Sequence, residues 1–90
     1  MVTALVMLKV RRDKVNEVAE QLAQMDEITE VYSTAGQWDL TAIIRVADNE
    51  KLADLVTSKL LKIQGITDSQ TLIAFRVYSK YDLERMFSIE

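Results

Sequence analysis

Ninety residues with a net charge of −3, no cysteine and no histidine make one modest domain without disulfides, thiolate chemistry or zinc–sulfur sites. The missing histidine also removes the commonest general base and metal ligand, so neither a catalytic pair nor a metal centre nor a cofactor is expected. With 28% charged and 49% hydrophobic residues the chain reads as soluble and globular, and its acidic balance lacks the basic footprint of non-specific nucleic-acid binding.

Residues 2–10 read as a strand. Val2, Ala4, Val6, Leu8 and Val10 share one face, while Leu5 and Met7 make the other apolar too, as in a central strand covered on both sides. Arg11-Arg12 ends it, and Asp13 is suited to cap a helix whose stripe is Val15, Val18, Ala19, Leu22 and Ala23. Met25-Asp26-Glu27 closes that helix. Residues 28–35 form a second strand, polar enough for a sheet edge. After a turn at Gly36, Leu40, Ala42, Ile44 and Val46 line one face of a third, central strand. Asp48 or Asn49 caps a second helix that buries Leu52, Leu55, Val56, Leu60 and Ile63, and Gly65 stops it in a left-handed conformation. A fourth strand is expected over about residues 67–78.

The order βαββαβ, with the two most apolar strands first and third, predicts an α+β fold: the ferredoxin-like split-βαβ sandwich with those strands central. Residues 1–78 make the domain and residues 79–90 a tail. Helices can cover only one sheet face, yet Leu5, Met7 and Ile43 leave the other apolar, which predicts a homodimer packed sheet to sheet, a dimeric α+β barrel. Leu83, Met86 and Phe87 have helical spacing in a segment too short to stand alone, which predicts a short C-terminal helix docked on the partner. No apolar run is long enough to span a bilayer, and no signal peptide is visible, so no membrane contact and a cytoplasmic location are expected.

The stretch from Ser33 to Leu40 concentrates the chemistry. Gly36 permits positive φ and a bare backbone, Trp38 offers apolar area with one N–H, and Asp39 offers two acceptor oxygens. In this topology the turn shares a sheet end with Arg11, Arg12 and Thr67 to Thr71, with the two loops roughly 10 Å apart across one strand. That rim offers acceptors to an ammonium and donors to a carboxylate, which is what a free amino acid requires. A plainer reading stands beside it: Asp39 caps its own turn, and Thr67, Ser69 and Thr71 are ordinary strand-edge hydroxyls.

Gly36-Gln37-Trp38-Asp39, followed by an apolar strand, resembles the G-x-[YW]-D turn of the effector domain of Lrp/AsnC-type regulators. Gly65-Ile66-Thr67-Asp68-Ser69-Gln70-Thr71-Leu72 resembles the second element of that domain, and the similarity covers nearly the whole chain. The resemblance implies a regulator of amino acid metabolism that dimerises through its sheets and assembles into an octamer or decamer ring. It also implies that a free amino acid binds between subunits, at Gly36, Trp38, Asp39, Ser69, Gln70 and Thr71. Trp38 replaces the commoner tyrosine, which bears on the size of the ligand. Full members carry an N-terminal helix-turn-helix, whereas here the first strand starts at Val2. A stand-alone effector domain is therefore expected, with no direct DNA contact, acting on transcription through mixed assembly with a full-length regulator. Two rivals belong to other classes. One is a small dimeric α+β-barrel enzyme of the monooxygenase or isomerase kind, which the lack of histidine disfavours. The other is a purely structural assembly domain.

Overall fold

The computed structural model describes residues 1–78. It contains β1 (Val2–Val10), a 3₁₀ turn (Arg12–Lys14), α1 (Val15–Ala23), β2 (Ile28–Ser33), β3 (Leu40–Val46), α2 (Asn49–Ser58), a second 3₁₀ turn (Leu60–Lys62) and β4 (Ile66–Ile73). The strands form one antiparallel sheet in the order β2-β3-β1-β4, the ferredoxin-like arrangement, with β1 and β3 central. Among the described residues no helix is long and apolar enough to cross a membrane.

Strand alternation sets the core. Ala4, Val6 and Leu8 on β1 and Leu40, Ala42 and Ile44 on β3 are fully buried, because both helices lie on that face. Val18 and Leu22 of α1, Leu52 and Leu55 of α2, and Leu60 and Ile63 beyond it close over them. Burying each of the valine, leucine and isoleucine side chains contributes about 1.5–3 kcal/mol. On the opposite face, register puts Glu30, Ile43, Leu5 and Leu72 in one row across the sheet and Tyr32, Thr41, Met7 and Gln70 in the next. Leu5, Met7 and Ile43 are only half-buried there, and Leu72 and Tyr32 are exposed. The apolar outer face anticipated from the sequence is thus present in the single chain.

Four local expectations need correction. Asp13 does not cap α1: a bond from the Lys14 N–H to the Arg11 carbonyl (2.8 Å) winds this segment into a 3₁₀ turn, and Asp13 instead accepts from Arg11 Nη2 at 3.4 Å. β2 stops at Ser33, two residues early, because Thr34 already closes the next turn. α2 stops at Ser58, with Leu60 and Ile63 buried from the 3₁₀ turn and its exit rather than from the helix. β4 ends at Ile73 rather than near residue 78: its last paired residue faces Ala4, near the start of β1, and one further bond runs from the Ala74 N–H to the Thr3 carbonyl (2.8 Å). Beyond it the Phe75 side chain is fully exposed. The Asp48 cap is as expected, its Oδ1 accepting the Lys51 N–H at 2.8 Å. The short C-terminal helix expected over residues 79–90, and its docking on a partner, lie outside the described residues.

Candidate functional site

Residues 34–39 join β2 to β3, and two residues hold the turn from its base. The Thr34 N–H donates to the Asp39 carbonyl (3.0 Å), and Thr34 Oγ1 donates to the Trp38 carbonyl (2.7 Å). Asp39 ties the turn to the neighbouring strand twice: its N–H donates to the Leu8 carbonyl (2.9 Å), and its Oδ2 accepts the Val10 N–H (2.8 Å). The carboxylate thus stands where the next rung of the β1–β3 ladder would fall. The plainer sequence reading is corrected here, since Asp39 caps the end of β1 rather than its own turn.

Between these anchors the backbone is left bare. Among the described residues, the N–H groups of Ala35, Gly36, Gln37 and Trp38 donate to nothing in the chain. Gly36 sits at φ +114°, and a Cβ placed on it would meet no atom within 4 Å. Successive free amides around a residue of positive φ form a concavity that suits an anion. Trp38 and Asp39 are half-buried beside them, and Asp39 Oδ1 has no partner within the chain among the described residues. The turn therefore presents donors for a carboxylate, one free carboxylate oxygen for an ammonium, and an indole face.

The second element lies at the same sheet end but does not touch the first. Ser69 is opposite Leu8, which is opposite Leu40, so β1 stands between Ser69 and the turn. Two strand spacings put them roughly 10 Å apart. Ser69 and Thr71 point to the helix side with Leu8 and Val6, whereas Gln70 points to the outer face with Met7. Gly36, Trp38 and Asp39 are brought together; Ser69, Gln70 and Thr71 are split between two faces. Clefts of about 470 and 620 Å³ open on the helical side, and none of these six residues lines either. Thr34 was absent from the sequence-derived set, and no motif marks it: only the turn's geometry shows that it fixes Trp38 and Asp39. Among the described residues, no cluster of three or more acidic groups is arranged to hold a metal ion.

The sheet order and the helices on one face define the class first: a ferredoxin-like α+β domain. TTHA0845 of Thermus thermophilus superimposes with a TM-score of 0.82 at 39% identity, covering 89% of this chain and all of that one. The transcriptional regulator NMB0573 of Neisseria meningitidis, solved as an L-Met complex, shares the fold at 18% identity (TM-score 0.79, covering 87% of this chain and 52% of that one). Residues 3–83 match the family described as the Lrp/AsnC ligand binding domain, and the chain belongs to that family. The HTH-type transcriptional regulator FL11 of Pyrococcus furiosus is 34% identical over 82 residues, which are 88% of this chain and 52% of FL11. The chain spans 39–52% of the length of the curated relatives it matches. Those relatives are transcription regulators, not enzymes, which sets aside the monooxygenase or isomerase alternative.

Proposed function

We propose that this regulatory domain binds a free amino acid at the Gly36 turn, between subunits, and couples binding to assembly. The observation that carries the reading is the row of free amides from Ala35 to Trp38 beside the free Oδ1 of Asp39. An α-carboxylate takes the amides, the α-ammonium takes Oδ1, and Trp38 packs the side chain. Ser69, Gln70 and Thr71 stand too far away in the same copy and complete the pocket from a neighbouring one. A fold neighbour solved with L-Met agrees with a ligand of this class.

The outer sheet face supplies the dimer. Leu5, Met7, Ile43 and Leu72 lie together there, and a second copy of the same face covers them. Further assembly into a ring brings two turn sites to β4 edges. With a net charge of −3 this segment has no DNA-binding footprint; it acts on transcription in the cytoplasm through assembly, including mixed assembly with a full-length regulator.

Calorimetry across the twenty amino acids tests the reading. Asp39→Asn keeps the acceptor for Val10 but removes the charge facing the ammonium, a bond worth about 1.5–3 kcal/mol, so affinity falls by about one to two decades. Trp38 is the only tryptophan and reports binding by fluorescence. If no amino acid binds, or if Asp39→Asn binds as tightly as wild type, the reading fails and the structural-assembly alternative stands. Light scattering tests the dimer separately: Leu5→Asp buries an unpaired carboxylate and yields monomer.

A further inference from the structure

We propose that the groove between the start of α1 and the link from α2 to β4 binds a small multivalent anion, at a site separate from the Gly36 turn. The chain is acidic overall, yet three lysines from three elements line this one groove: Lys14 before α1, Lys59 at the end of α2 and Lys62 in the second 3₁₀ turn. Glu17 is the only carboxylate in the lining. Gln21 and Gln64 add amide donors, and Met25 and Ile63 supply an apolar wall. The volume of about 620 Å³ lies in the small-ligand range.

The local packing places these cations. Gly65 approaches so closely that a Cβ on it would stand 2.9 Å from the Lys14 Cβ, and the Arg11 N–H fixes that backbone by donating to the Gly65 carbonyl at 2.8 Å. The Lys14 stem is thereby pressed against the turn, and its side chain is only 36% exposed. Its partner Glu17 is 3.6 Å away and 68% exposed, a pair that water readily opens. Lys59 reaches Glu27 at 3.2 Å, and Lys62 has no carboxylate partner among the described residues. A single exposed ammonium holds a monovalent anion poorly against water and salt. An anion of two or more charges meets Lys62 directly and draws on Lys14 and Lys59 as well, with the glutamines donating to its remaining oxygens.

This inference is independent of the amino-acid reading. Phosphoryl groups and polycarboxylates share the required chemistry, and the experiment separates them. Amide spectra are followed during titration with pyrophosphate, with citrate, and with acetate as the monovalent control, all at one ionic strength set by sodium chloride. Saturable shifts at Lys14, Gln21, Lys62 and Gln64 are expected with pyrophosphate or citrate and not with acetate; whichever acts names the ligand class. A Lys14→Gln, Lys62→Gln double variant, with its spectrum otherwise unchanged, binds about tenfold or more weakly. The proposal is overturned if no saturable shift appears, if acetate matches the multivalent anions, or if the double variant binds as well as wild type. Shifts confined to the amides of residues 35–38 also overturn it, because they put the anion at the Gly36 turn.

Discussion

Gly36 and Gly65 sit in turns on either side of the end of β1, at φ +114° and +105°. Both turns tie to that strand end: Asp39 takes the Val10 N–H, and the Gly65 carbonyl takes the Arg11 N–H. Their surroundings differ. A Cβ on Gly65 would stand 2.9 Å from the Lys14 Cβ and 3.4 Å from Val18 Cγ2, whereas a Cβ on Gly36 would meet nothing within 4 Å. Gly65 is required by conformation and by packing, so its role ends inside the chain. Gly36 is required by conformation alone, and it leaves its amides facing outward. The empty surround of Gly36 leaves the space beside its backbone open, as the proposed amino-acid site requires.

The largest expected effect is at the crowded turn. Gly65→Ala combines left-handed strain of about 1–2 kcal/mol with overpacking of about 1–3 kcal/mol against Lys14, and denaturant unfolding should show the sum. Asp39→Ala comes next. It leaves the Val10 N–H without its acceptor, at about 1–3 kcal/mol, while Asp39→Asn keeps an acceptor and most of the stability. Gly36→Ala should cost only the conformational term, about 1–2 kcal/mol, yet weaken amino-acid binding by rotating the free amides. Equal stability losses for Gly36→Ala and Gly65→Ala would break the contrast between the two turns. A Gly36→Ala variant that binds normally would remove the functional half of it.

How much of this was legible from residues alone depends on the range of the interaction. Strand alternation and helical stripes are local, so βαββαβ, the central placement of β1 and β3, and the apolar outer face all followed from the sequence. The Asp48 cap followed too, since its partner lies three residues on. The end of β4 did not: Ile73, Phe75 and Val77 continue a strand-like alternation, but the pairing with β1 stops at Ala4 and Ile73, two residues short of the start of β1. The partner of Asp39 was equally hidden, because Val10 lies 29 residues away and contributes only its backbone. Motif resemblance found Gly36, Trp38 and Asp39 as a unit. It could not show that Ser69 and Thr71 face one side of the sheet and Gln70 the other, which only the register decides.

The smallest expected effect is electrostatic and lies away from both glycine turns, at the end of the sheet where β2 begins beside Arg45. Glu27, in the loop before β2, is held below the ordinary carboxyl value of 4.5, first by its own backbone N–H and then by Lys59 at the end of α2. A carboxyl whose folded value is lowered stabilises the fold fully above its unfolded value, and that contribution is lost as pH falls through the folded value. Wild type should therefore lose this part of its stability only below about pH 4.5. Lys59→Gln removes the ion pair but leaves the backbone N–H, so the Glu27 value should rise part of the way and no further. The two proteins should differ slightly in stability near neutrality and converge in acid, where Glu27 is protonated in both. High salt should shrink the difference, since the pair is at the surface. Trp38 emission, read during the same titration, should not distinguish them, because the pair lies beyond the reach of the Gly36 turn. A change in Trp38 emission on Lys59→Gln would mean that the end of α2 is coupled to the Gly36 turn across the sheet, and that the open turn does not act as a local unit.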